Sequence, residues 1–289
     1  MDRSTIKLQE KDWMPQAAMD FYKSENFQKF EDNMRLIDVN AILVGPFRKL
    51  KEGSDVNGVD LIMLDREETD LPEMQTFMKT SIGRFAFWRD TPSEKNPVIV
   101  WADIQSVPEI TVVGNKVEHA ILSFCSKIKT YKDHSKEVKA AISDVQNLLE
   151  VKKLEKEVSQ VVKKRSNETI MGVAGPGLLV ESFNNKKNRY RVVEKGTPDI
   201  DSLLRCLTKI REKEQPRVVE LIDVLMGNVM VYNDEGYYGN GLELGHVLFL
   251  TNQKCVEEKV QMILTAAYSL YKRFDFIDVM QLTLELRDH

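Results

Sequence analysis

The sequence predicts an α+β protein: an antiparallel β-sandwich or jelly-roll-like N-terminal domain, a long central helix and a smaller mixed α/β C-terminal domain. Residues 36–124 hold several short β-prone segments separated by turn signals, with little helical pattern between them. The next stretch, Asn115 to Met171, contains no proline and no glycine, and its apolar residues fall at helical spacing. These two observations divide the chain.

The predicted organisation has four parts. Residues 1–35 form an N-terminal arm and a helix, and residues 36–125 form the β-rich domain. Residues 126–171 form the long charged helix, and residues 172–289 form the mixed α+β domain.

The β-rich domain is predicted from runs of β-branched and aromatic residues that end at turn residues. The predicted strands cover residues 37–44, 59–64, 83–88, 98–101 and 110–113. A further apolar run, residues 117–124, is compatible with a strand or with the start of the long helix.

The central helix is predicted from the spacing of its apolar residues, which shifts phase once. Val138, Ile142, Val145 and Leu149 step by four, three and four residues, and the steps resume in a shifted phase at Leu154. Unbroken from residue 133 to 165, this helix would measure about 50 Å. It could form an oligomerising coiled coil or pack along its own chain, because the interrupted seam permits both.

The C-terminal part is predicted to mix helices with strands. Its glycine-rich start, residues 172–177, is typical of a helix C-cap and turn, since a phosphate-binding loop needs a preceding strand and a following helix. The remaining predictions are a hairpin over 178–193, helices over 199–212 and 254–273, and strands over 229–232, 244–250 and 280–286.

Composition excludes several classes of protein. With 289 residues and a net charge of −4, no global field attracts the chain to nucleic acid or membrane. No secretory signal and no segment that spans a bilayer is expected. The three cysteines suggest buried thiols in a reducing compartment, and the four histidines lack metal-ligand spacing, so neither a metal nor a cofactor is predicted.

Two groups of charged residues could carry chemistry. Five carboxylates cluster near one strand end and are typical of a solvated acidic loop: Asp60, Asp65, Glu67, Glu68 and Asp70. A metal-dependent nuclease would use Asp60, Asp65 or Glu67, although strand alternation places Asp60 and Asp65 on opposite faces. Basic residues with interleaved aromatics could bind phosphates and stack on unpaired bases, or form ordinary solvated faces. The candidate nucleic-acid ligands are Lys163, Lys164, Arg165, Lys186, Lys187, Arg189, Tyr190 and Arg191.

Residues 36–124 resemble the core of the thirty-kilodalton superfamily of plant-virus movement proteins. The resemblance rests on the opening run at 36–44, the run Gly58 to Asp65 that ends in an aspartate, and the aromatic strand at 83–88. It implies that Asp65 is the family's characteristic aspartate, and that the protein binds single-stranded nucleic acid and carries viral genomes between cells without catalysis.

The predicted function is therefore non-enzymatic: single-stranded nucleic-acid binding by an oligomeric viral movement protein in the host cytoplasm, and at cell junctions if the resemblance holds. No integral membrane association is expected. The alternatives are a self-associating assembly protein that contacts other proteins, and a metal-dependent nuclease.

Overall fold

The computed structural model describes residues 13–53, 61–105, 107–131, 134–170, 175–179, 190–191 and 215–287. They divide into two compact units. Unit 1 comprises the described parts of Met1–Glu67, Glu73–Ile104 and Ile110–Lys164, and unit 2 comprises those of Glu68–Pro72, Gln105–Glu109 and Arg165–His289. The division into four parts follows from sequence pattern and not from compactness, and it stays a prediction.

Unit 1 combines helices with one β-sheet. Its helices are α1 (Gln16–Tyr22), α2 (Phe27–Ile37), α3 (Pro46–Glu52), α4 (Val117–Tyr131), α5 (Lys136–Leu148) and the greater part of α6 (Val151–Glu168). Its strands are β1 (Ile42–Leu43), β2 (Met74–Thr80), β3 (Gly83–Trp88), β4 (Val98–Asp103) and β5 (Ile110–Gly114).

The five strands form one sheet in sequential order, and every neighbouring pair is antiparallel. The α+β class and the antiparallel pairing are thus confirmed. A sandwich or a jelly roll needs a second facing sheet, and neither is confirmed by the strands that the structure describes.

The sheet lies within a mainly aromatic and aliphatic core. Every residue of β3 is buried, so both of its faces are covered. The rings of Phe77 and Phe87 lie 4.5 Å apart between centroids, and Phe47 of α3 packs edge-on against Phe77 at 6.0 Å. The same core includes buried residues of α1, α2, α4 and α5.

Three of the five strands predicted in unit 1 are correct, and β2 was not predicted. The strands predicted at 83–88, 98–101 and 110–113 are confirmed. The prediction for 37–44 is largely wrong, because α2 continues to Ile37 and only Ile42–Leu43 are paired. Residues 117–124 are helical, and residues 61–64 form turns, while residue 60 lies outside the described residues.

The predicted long helix is two helices. Leu149 takes an extended conformation (φ −102°, ψ 139°), which ends α5 before α6 begins at Val151. Both Leu149 and Leu154 are buried. The break therefore lies where the apolar spacing shifts phase, because each helix turns its own apolar face inward. The prediction of one unbroken helix is wrong.

Unit 2 is helical in the part that the structure describes. Its main elements are α7 (Gln215–Asp234), α8 (Gly239–Leu250), a 3₁₀ turn (Lys254–Val256), α9 (Glu257–Leu270) and α10 (Asp275–Glu285). The helix predicted over 254–273 is confirmed from Glu257 to Leu270. The helix predicted over 199–212 and most of the hairpin predicted over 178–193 lie outside the described residues. The strands predicted at 229–232, 244–250 and 280–286 are wrong, because all three segments are helical. At 244–250 every residue is buried, so no polar face shows the helical period.

The prediction that the cysteines are buried thiols has a mixed outcome. Cys125 is buried, and burial raises the pKa of its thiol to about 12, whereas Cys255 is exposed, contrary to the prediction of buried thiols. Cys206 lies outside the described residues. None of the described helices is both long enough and apolar enough to cross a bilayer.

A buried histidine of α4, His119, contacts both the end of the sheet and α6 within unit 1. His119 Nδ1 accepts a hydrogen bond from the backbone N–H of Asn115 at 3.2 Å, and Nε2 lies 3.3 Å from Glu157 Oε2. Burial lowers the pKa of His119, against the opposing effect of Glu157. Gly114 makes room for this ring, because a Cβ there would lie 2.3 Å from His119 Nδ1.

We expect Gly114→Ala to destabilise unit 1 by about 3 kcal/mol, since the positive φ of 147° and the overlap with His119 add their costs. Gly53→Ala is the control, because its φ of 74° carries strain while a Cβ there meets nothing within 4 Å. Urea unfolding followed by tryptophan fluorescence reports on unit 1, since Trp13, Trp88 and Trp101 all lie in it. Equal losses for both variants would contradict the overlap.

Candidate functional site

The turn between α7 and α8 is closed by two backbone hydrogen bonds. The N–H of Tyr237 donates to the carbonyl of Tyr232 at 2.8 Å, and the N–H of Gly236 donates to the carbonyl of Asn233 at 3.0 Å. Gly236 has a φ of 88°. This is the Schellman arrangement, in which a left-handed glycine ends a helix and its last carbonyls find partners. We call residues 234–238 the acidic turn, since Asp234 and Glu235 stand in it.

Glu235 presents a carboxylate at the surface from this turn. Its side chain is 45% exposed, and its Oε2 lies 2.5 Å from Nη1 of Arg191. The Arg191 guanidinium also lies over the ring of Tyr232, 5.0 Å from its centroid. A negative charge at a helix C-terminus is unfavourable, so the arginine offsets the position of this carboxylate.

Residues 190 and 191 are held against the first turns of α8. The side-chain carbonyl of Asn240 accepts the backbone N–H of Arg191 at 2.9 Å, and the Asn240 amide donates to the carbonyl of Arg191 at 2.9 Å. The Tyr190 hydroxyl donates to the carboxylate of Glu243. Burial, together with Glu243, raises the pKa of Tyr190, so the phenol keeps its proton at neutral pH.

The helix that carries Asn240 and Glu243 is a fixed support. Every residue of α8 is buried, and Asn240 and Glu243 are each only 2% exposed. Deeper in the unit, His246 Nε2 lies 3.4 Å from the hydroxyl of Tyr268 on α9. A Cβ at Gly245 would lie 2.3 Å from Leu264 Cδ2, so α8 and α9 approach closely at this glycine.

Of the eight predicted nucleic-acid ligands, Tyr190 and Arg191 are brought together, and they meet carboxylates of unit 2. Arg165 is buried, and its guanidinium donates to the carbonyls of Pro176 and Gly177 at 3.0 and 2.9 Å. Lys163 and Lys164 are exposed on α6. The other three predicted ligands, Lys186, Lys187 and Arg189, lie outside the described residues. The assignment of these residues to a binding site stays a prediction.

Asp65 stabilises a turn in unit 1. It has a φ of 57°, accepts the N–H of Gly45 at 2.9 Å, and pairs with the Arg48 guanidinium at 3.0 Å. Glu67 pairs with Lys79, and Asp60 lies outside the described residues. Within the described ranges, no three His, Cys, Asp or Glu side chains are grouped as metal ligands.

Glu235, Asn240 and Glu243 are functional candidates that the sequence pattern does not indicate. The pattern predicts a loop between two strands around them, whereas the segment is a helix C-cap followed at once by a buried helix. The available signal was Gly236 directly after a helical run, which is the usual position of a C-capping glycine.

The arrangement is typical of a protein that contacts another macromolecule with exposed side chains. Asp234 and Glu235 stand at the surface, while the residues that hold them are buried or half-buried. Such a geometry suits an accessory or binding protein.

Comparison with known proteins gives the family. The sequence profile of the Histone PARylation factor 1 family matches residues 1–287, and the chain belongs to this family. Histone PARylation factor 1 of Mus musculus is 27% identical over 263 residues, which cover 86% of this chain and 73% of the relative. The protein of the same name from Bos taurus is 26% identical over 269 residues, which cover 88% of this chain and 75% of the relative.

Membership of this family corrects the main functional predictions. The resemblance to viral movement proteins is wrong. With it fall the binding and transport of single-stranded nucleic acid, the homo-oligomer and the location in host cytoplasm or at cell junctions. The competing prediction of a self-associating assembly protein gains no support from the family. The family name describes a factor, which is an accessory protein. At this coarse level it agrees with the prediction that the chain is not an enzyme.

The close approach of α8 and α9 can be tested with two glycines of unit 2. We expect Gly245→Ala to lower the free energy of unfolding by about 1–3 kcal/mol, because its methyl group overlaps buried Leu264. Gly227→Ala is the control, since it lies on α7 with nothing within 4 Å of a Cβ, and it should stabilise by about 0.5–1 kcal/mol. Urea unfolding followed by circular dichroism measures both; stabilisation by Gly245→Ala would contradict the close approach.

Proposed function

We propose that this chain is an accessory factor for the poly-ADP-ribosylation of histones. In this proposal it acts at chromatin, together with a poly(ADP-ribose) polymerase that binds NAD⁺ and transfers ADP-ribose. The family and the relatives named Histone PARylation factor 1 support the reaction and the histone acceptor. The observation that carries the role of this chain is the exposed carboxylate of Glu235, held by Arg191 on a capped turn.

The chemistry of the reaction gives such a carboxylate a use. Transfer of ADP-ribose breaks the bond between nicotinamide and ribose and joins the ribose to a nucleophilic side chain of the acceptor. When the nucleophile carries a proton, a base must accept it as the new bond forms. A surface carboxylate that enters the enzyme's site together with the acceptor can take that proton, and we assign this role to Glu235.

The surroundings of Glu235 also suit a histone. Histones are rich in lysine and arginine, so an acceptor peptide carries positive charge close to its modified side chain. Asp234 adds a second exposed carboxylate next to Glu235. Two acidic groups side by side attract such a peptide and favour its approach in the correct orientation.

The predicted C-terminal domain acquires a specific role in this proposal. Tyr190, Glu235, Asn240 and Glu243 all lie within residues 172–289, the segment predicted to form the mixed domain. We therefore propose that this segment carries the contact with the transferase.

We expect Glu235→Gln to reduce histone modification on the order of a hundredfold, the typical contribution of a positioned general base. The assay mixes the chain with a poly(ADP-ribose) polymerase of the same organism, NAD⁺ and histones, and measures the ADP-ribose attached to the histones. Glu220→Gln is the matched control, since this residue is exposed on α7 and the substitution also removes one carboxylate.

The two variants separate a local role from a general effect of charge. If Glu220→Gln lowered histone modification as much as Glu235→Gln, the proposed base would be refuted. If the wild-type chain left histone modification unchanged at every concentration, the accessory function itself would be refuted.

A further inference from the structure

We propose that Asn240 is a positioning residue for Glu235 and acts through Arg191. The contact between Asn240 and Arg191 is a feature of unit 2. Its effect on histone modification rests on the proposed function. Asn240 lies in the first turn of α8 and does not touch the Glu235 carboxylate in any of the hydrogen bonds that the structure gives it.

The contact between Asn240 and Arg191 fixes one residue of backbone. The amide side chain accepts from the N–H of Arg191 and donates to the C=O of the same residue, both at 2.9 Å. These two groups point to the same side only when the backbone is extended, as in a hydrogen-bonded pair of an antiparallel sheet. Asn240 therefore sets both the location and the conformation of Arg191.

Burial makes this contact strongly preferred. Asn240 is 2% exposed, so its carbonyl and amide groups have lost most access to water. A buried amide that leaves its partners loses more than it gains, because the desolvation cost is not recovered. The backbone of Arg191 is the partner that the structure supplies on both sides of the amide.

Glu243 supports the same segment one helical turn further along α8. Residues three apart on a helix share a face, so the side chains of Asn240 and Glu243 lie side by side. Glu243 holds the hydroxyl of Tyr190, and Asn240 holds the backbone of Arg191. Two successive residues are thus attached to successive turns of one buried helix.

This anchorage explains how a surface ion pair can be well defined. Exposed pairs of arginine and glutamate contribute little to stability, because fixing two long side chains costs entropy. Here the backbone of Arg191 is already fixed, and its guanidinium rests on the Tyr232 ring while it reaches Glu235. Without Asn240, the backbone of Arg191 would no longer be held in place, and the Glu235 carboxylate would lose its fixed orientation.

The first part of the test needs no transferase. Amide hydrogen exchange of Arg191 and the order parameter of its Nε–H are measured by NMR in the wild type, Asn240→Ala and Asn240→Asp. We expect exchange to become at least tenfold faster in Asn240→Ala, as an amide that has lost its acceptor opens to water. Asn240→Asp retains an acceptor oxygen for the Arg191 N–H but cannot donate to the Arg191 carbonyl, so it should restore part of the protection.

The second part measures histone modification in a double-mutant cycle. We expect Asn240→Ala and Arg191→Met each to reduce modification about tenfold, and the double variant to match Arg191→Met within about twofold, since coupled residues are not additive. Asn167→Ala, at an exposed asparagine of α6, is the matched control and should leave modification unchanged.

Each outcome decides the proposal. Unchanged Arg191 exchange and order in Asn240→Ala would refute the positioning role, whatever the transferase assay shows. Full additivity in the cycle would also refute it, because Asn240 would then act independently of Arg191. Changed exchange, with a wild-type chain that gives no histone modification, would retain the positioning role and refute only the proposed function.

Discussion

The complete burial of the helix Gly239–Leu250 is the constraint on which the candidate site depends. A helix covered on all sides cannot shift to suit its neighbours, because protein interiors are packed as densely as organic crystals. Asn240 and Glu243 stand on this helix, and they hold Tyr190 and Arg191 by hydrogen bonds. The positions of Arg191 and Glu235 at the surface therefore depend on a helix in the core of unit 2.

The acidic turn shows why the support matters. A glutamate at a helix C-terminus faces the negative end of the helix dipole, and an exposed ion pair alone gives little compensation. Gly236 closes the helix without strain, and Arg191 brings a positive charge from a separate part of the chain. A half-exposed carboxylate is thereby kept in a defined place, as a group offered to a partner's active site would have to be.

The sequence predicted those features that depend on local pattern. Three strands of unit 1 could be located because aromatic and β-branched residues stand between turn signals. The phase shift after Leu149 lies at the break between two helices, but it was interpreted as an interrupted seam on one helix. The helix at 244–250 could not be recognised, because all its residues are buried and no polar face shows the helical period. The candidate site was missed for a related reason. Asn240 and Arg191 are 49 positions apart, and their contact depends on tertiary packing alone.

Hydrogen–deuterium exchange tests the central claim most directly, namely that the acidic turn is the surface offered to the transferase. Exchange is compared for the chain alone and for the chain with a poly(ADP-ribose) polymerase of the same organism. The account predicts slower exchange at residues 234–238 on binding, since a partner that covers this turn excludes water from its amides. Binding that protected other segments and left residues 234–238 unchanged would contradict the account.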